Sequence, residues 1–117
     1  KGFLRVETMK DGKDINLVKD LRTTEWLKSQ LLTTVARLFE NLAKGVDNDR
    51  VELLDTLSNI ILLNYVLGRR LGFNYETIDK KVEENIKLSL SDEHTIEKWY
   101  GDLSQLQKHL NTMHRQE

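Results

Sequence analysis

The stretch that decides the fold is Asp49–Gly72, DRVELLDTLSNIILLNYVLGRRLG. From Val51 to Leu71 it is apolar around most of a helix, with Glu52, Asp55 and Asn59 as exceptions. At about 100° per residue those three fall within one narrow arc. Asp49 is a suitable N-cap and Glu52, three residues on, suits a capping box. Arg69 and Arg70 favour the C-terminal end, with Gly72 just past it. A helix this apolar needs cover on most sides, so it is expected at the centre of the molecule. Carboxylates in such surroundings need a partner, and a divalent cation is one.

Working toward the N-terminus, Leu27, Leu31, Val35, Leu38 and Leu42 recur at helical spacing, widened by Trp26, Leu32 and Phe39. The expected helix covers roughly Thr24–Lys44 and stops at Gly45. The short link, with Asp49 at its end, makes the two helices antiparallel neighbours. Residues 1–13 show no helical period and are expected as a tail or short extended segment. Toward the C-terminus, Asn74 can cap a third helix from Tyr75 to about Leu88, with Ile78, Val82 and Ile86 inward. Ser91 can cap a fourth over about Asp92–His114, with Ile96, Trp99, Leu103, Leu106 and Leu110 inward.

Composition agrees. The 117 residues include no proline and no cysteine, charged residues make up 32%, and the net charge is −1. The expected class is all-α, an antiparallel four-helix bundle-like domain over residues 14–117. No basic excess points to nucleic acid or an anionic membrane. No run approaches the ~20 apolar residues of a membrane span. No signal-peptide pattern is visible, so a cytoplasmic location is expected. The absence of cysteine excludes disulfides, thiolate metal sites and a cysteine nucleophile. His94, His109 and His114 have no zinc-site spacing. The breadth of apolar surface on the second helix predicts packing against a second copy.

Several residues can carry chemistry. Glu52 and Asp55 sit one turn apart, a spacing that lets both reach one Mg²⁺. The same spacing fits a bland role: Glu52 as reciprocal partner of the cap, Asp55 as an acceptor for a neighbouring helix. Asn59 can fix Asp55, ligate a metal, or sit in an interface, the last being favoured. Glu40, one turn after Arg37, can reach the same pocket or be solvated. Lys80, Lys81 and Asn85 can meet phosphates, although most lysines are surface groups. Trp26, Trp99, Tyr65 and Tyr75 can stack on a base, but aromatics at helical spacing are more often core.

Three stretches together resemble the MazG-like branch of the all-α nucleoside triphosphate pyrophosphohydrolases. VELLDTLSNIILL is similar to the second metal helix, with Glu52 and Asp55 in the E-x-x-D positions. LGRRLGFNYETIDKKVEENIKL is similar to the segment ending in Lys-x-x-x-Asn, here Lys81 and Asn85. HTIEKWYGDLSQLQKHL resembles the C-terminal segment of MazG-like proteins common in spore-forming and related bacteria. With WLKSQLLTTVARLFENLAKG these cover about Asp14–Leu110. The resemblance implies a homodimer or dimer of dimers, and Mg²⁺ held by four carboxylates. It also implies hydrolysis of a nucleoside triphosphate to monophosphate and pyrophosphate. The first metal helix departs from the pattern: Thr33, Thr34 and Arg37 stand where E-E-x-x-E is expected. Arg37 can pair with Glu52 or Asp55 and replace the metal, or grip phosphate bidentately. The readings that follow are a Mg²⁺-dependent enzyme using Glu52, Asp55 and Glu40, with Lys81 and Asn85 toward phosphate or ribose; a non-catalytic nucleotide sensor using Arg37; and a purely structural oligomer.

Overall fold

The computed structural model describes residues 12–91 and 101–115, and the side chains of residues 19–91 and 101–113. Among the described residues the chain is all-α, with four α-helices and no strand: α1 (Gly12–Leu42), α2 (Arg50–Arg70), α3 (Tyr75–Ser91) and α4 (Asp102–Arg115). It divides into two compact units at Phe73/Asn74.

In the first unit α1 and α2 form an antiparallel hairpin. α1 begins at Gly12, well before the expected Thr24, so residues 12 and 13 belong to it and not to a tail. It ends at Leu42, and the link is a single 3₁₀ turn, Gly45–Asp47. Gly45 opens that turn at φ +61°, a conformation that favours glycine. Asp49 then caps α2, its Oδ1 accepting from the Val51 and Glu52 amides at 3.1 and 3.2 Å.

Two contacts fix the hairpin's register. At the link, Asn41 is 1% exposed and meets the Asp49 backbone twice: its Nδ2 donates to the carbonyl and its Oδ1 accepts from the amide, both at 2.9 Å. At the open end, Arg70 donates to Asp20 at 3.0 Å. The numbers of the paired residues add to the same value at both ends, so one unshifted alignment runs the length of the hairpin.

The seam between the helices is narrower and more polar than the sequence predicts. On α1 it runs through Leu27, Leu31, Thr34, Leu38 and Asn41; on α2 through Leu53, Thr56, Ile60, Leu63 and Leu67. Spacings alternating four and three keep each stripe facing its partner. Thr34 and Thr56 satisfy their hydroxyls on backbone carbonyls one turn back, Gln30 at 2.8 Å and Glu52 at 3.0 Å. Leu42, expected in the core stripe, and Trp26, Leu32 and Phe39, expected to widen it, are exposed. So are Leu54, Leu57, Ile61 and Leu62. Among the described residues of the first unit, the expectation that α2 is covered on most sides is therefore not met: one partner helix covers only one stripe. By length and composition α2 is also apolar enough to cross a membrane, contrary to the sequence-based expectation, because its apolar 18-residue window holds only two charges, Glu52 and Asp55. Its 18-residue apolar window is only 17% buried, so that apolar surface faces outward.

The exit from α2 is a Schellman-type cap. The Phe73 amide donates to the Gly68 carbonyl and the Gly72 amide to that of Arg69, with Gly72 at φ +104°. In the second unit, Asn74 caps α3 as predicted, its Oδ1 accepting from the Thr77 amide at 2.8 Å and hydroxyl at 2.7 Å. α3 packs on α4 through buried Ile86, with Ile78, Leu103 and Leu110 half-buried. Val82, expected inward, is 40% exposed. α3 continues to Ser91, which is its last residue and not the N-cap of the next helix. α4 starts only at Asp102, after Gly101 at φ +68°. His94, Ile96 and Trp99 lie outside the described residues, and so does the side chain of His114.

Candidate polar groove on the hairpin

The residues singled out from sequence separate cleanly by side of the hairpin. About 100° per residue, referred to the buried seam, puts Arg37 and Thr33 on one flank of α1. The same arithmetic puts Glu52, Asp55 and Asn59 on the flank of α2 that faces the same way. The register fixed by Asn41–Asp49 and Asp20–Arg70 sets Arg37 level with Leu53, hence between Glu52 and Asp55 along the axis. Leu32, Phe39, Leu54, Leu57 and Ile61 lie on the opposite side.

The side chains on the polar flank are exposed, not stranded in apolar surroundings as the sequence predicts. The cause is again the narrow seam: the flank residues sit just outside it and open to water. Glu52 takes no part in a capping box. The Asp49 amide that such a box would offer it is already held by Asn41. The bland role weighed for Glu52 is thus occupied by another residue. Asp55 accepts a long 3.4 Å bond from Asn59 Nδ2 and none from a neighbouring helix among the described residues. Asn59 is exposed and not a buried amide. Arg37 forms no ion pair with Glu52 or Asp55; the ion pairs among the described residues are Glu25–Lys28, Asp20–Arg70 and Lys81–Glu84.

The metal arrangement implied by the resemblance is only half provided for. Among the described residues no three His, Asp or Glu side chains come close enough to hold one ion. Glu40 therefore does not join Glu52 and Asp55 within the chain; it projects from α1 further round the helix than Arg37. A four-carboxylate cage does not fit these residues. Two carboxylates one turn apart do fit a single Mg²⁺, because that ion commonly keeps waters and takes substrate phosphate in place of further protein ligands.

Lys81 and Asn85 share an exposed stripe of α3 in the second unit. Lys81 is ion-paired with Glu84. Its hydrogen bond, then its charge, hold the Glu84 carboxyl below the ordinary value of 4.5. Asn41, which sets the register of the groove, gave no signal in the sequence: one Asn in an apolar helix does not reveal which way it faces.

No curated protein and no solved structure matches the sequence. Residues 17–103, about three-quarters of the chain, match the MazG-like family. That stretch contains the whole hairpin groove and α3, and the chain belongs to the MazG-like family, a nucleotide pyrophosphohydrolase-like group.

Proposed function

We propose that the polar groove binds a nucleoside triphosphate together with Mg²⁺. The observation that carries this reading is that Glu52, Asp55 and Arg37 share one flank at one level, with no intrachain ion pair uniting them. The two carboxylates outnumber the guanidinium. The groove therefore repels a bare polyphosphate and favours one that brings a divalent cation. Glu52 and Asp55 hold the cation, and Arg37 offers two parallel N–H donors to a phosphate across the groove. When bound, Mg²⁺ neutralises phosphate charge and can activate a water for pyrophosphohydrolysis. With Thr33, Thr34 and Arg37 in place of three carboxylates, this groove supports tight turnover less well than a full metal cage, so binding dominates and hydrolysis is slow.

Calorimetric titration of the full chain tests this. Mg²⁺ alone binds weakly, nucleoside triphosphate alone binds weakly, and the two together bind at least tenfold more tightly. Asp55→Asn removes that coupling, along with any pyrophosphate release. Nucleotide binding that persists in EDTA and is lost only in Arg37→Ala makes the protein a metal-independent sensor instead. No binding under any condition defeats the reading.

The partner proposed is a second copy. Leu32 is 73% exposed and Leu54 70%, and with Phe39, Leu57 and Ile61 they form one apolar side of the hairpin. On α2 that side bears no charged residue between Val51 and Arg69, as suits an identical apolar surface better than a charged partner. Sedimentation should show a dimer or dimer of dimers that Leu54→Lys converts to monomer. A wild-type monomer at all concentrations excludes it.

A further inference from the structure

Trp26 is the largest side chain whose placement departs from expectation. It was expected to widen the core stripe, yet it is 59% exposed while its neighbour Leu27 is 3% exposed. A large apolar ring left in water forgoes substantial burial. Its direction is informative. Trp26, Gln30, Thr33 and Arg37 fall within about 60° of one another on α1. They form a single row on the flank that also carries the proposed phosphate end of the groove. The row runs about 16 Å at 1.5 Å per residue. That length is comparable to an extended nucleoside triphosphate.

The two ends differ in chemistry. At the Arg37 end the facing flank of α2 bears Glu52 and Asp55. At the Trp26 end, by the same register, it bears Leu62 and half-buried Val66. The intervening Gln30 and Thr33 supply polar groups at mid-length. A groove charged at one end and aromatic at the other matches the polarity of a nucleotide from phosphates to base.

We infer that Trp26 is the base platform of this groove: the ring stacks on the nucleobase of a triphosphate whose phosphates lie near Arg37. This rests on the proposed nucleotide site and adds the orientation of the ligand within it. Stacking accepts any base, because every base has a π face. The groove therefore discriminates little among the four common bases and strongly between a nucleotide and inorganic triphosphate.

The test is calorimetry on the full chain with Mg²⁺, using ATP, GTP, CTP, UTP and inorganic triphosphate. The variants are Trp26→Ala, Trp26→Phe and Arg37→Ala. Trp26→Ala should weaken the nucleotides roughly tenfold or more while leaving inorganic triphosphate unchanged. Trp26→Phe should recover most of the loss, and Arg37→Ala should weaken both classes. Nucleotide affinities that Trp26→Ala leaves intact overturn the inference while the site stands. Equal loss of nucleotide and inorganic triphosphate, with a changed sedimentation coefficient, makes Trp26 an interface anchor and overturns it too. A wild type that binds none of the probes defeats the nucleotide site itself.

Discussion

Asn41 shows how one side chain can position a site it does not belong to. Its amide satisfies both backbone groups of Asp49, and Asp49 in turn caps the helix bearing Glu52 and Asp55. Asn41→Ala leaves the Asp49 amide without its partner, at about 1–3 kcal/mol, while the Asp49 carbonyl keeps the Leu53 amide. The expected loss is about 1–3 kcal/mol, read from urea unfolding as a lower midpoint at unchanged slope. Asp49→Ala removes only the cap and should cost about 1 kcal/mol. Equal effects would show that the clamp and the cap act as one unit. Asn41→Ala should also weaken Mg²⁺–nucleotide binding, because Arg37 is held opposite Glu52 and Asp55 only by the hairpin's register.

At the scale of elements, helix ends are where local chemistry and structure agree. Asp49 and Asn74 cap as their residue types dictate, and Gly72 sits just past α2 at φ +104°. A Cβ built at Gly72 meets nothing within 4 Å, so Gly72→Ala is penalised by backbone conformation alone, by about 1–2 kcal/mol in thermal or urea unfolding. Within α3 the Lys81–Glu84 pair adds a pH dependence of known sign. Pairing lowers the Glu84 carboxyl in the folded chain. Its stabilising effect is complete above pH 4.5, the ordinary Glu value, and fades as pH falls through the lower folded value. Wild type and Glu84→Gln should therefore differ slightly in stability at pH 6 and converge once the pH falls below the folded value. Because the pair is exposed, the difference should shrink with added salt. A gap that widens on acidification would refute the assignment.

At the scale of the whole molecule, the apolar side of the hairpin governs behaviour. If a second copy covers it, Tm rises with protein concentration, as expected whenever only the folded form associates. Phe39→Glu should abolish that dependence while changing the far-ultraviolet circular dichroism little, since Phe39 is 65% exposed within one chain. A Tm independent of concentration in the wild type would mean that the surface stays uncovered at those concentrations.

The sequence by itself determined the helical class, the family, the hairpin, and the caps at Asp49 and Asn74. These follow from short-range chemistry, in which cap residues, glycines and 3.6-residue periodicity act within a turn of where they stand. Only the tertiary structure decided which of several apolar stripes faces inward. α1 offers Val35, Phe39 and Leu42 as readily as Thr34, Leu38 and Asn41, and the choice depends on what lies opposite. The antiparallel partner selects the narrow seam through Thr34 and Asn41, where every buried polar group finds a backbone carbonyl or amide. That selection turns Trp26 and the Glu52–Asp55 stripe outward, for a helix that spends one face on its neighbour leaves its flanks to solvent or to a ligand.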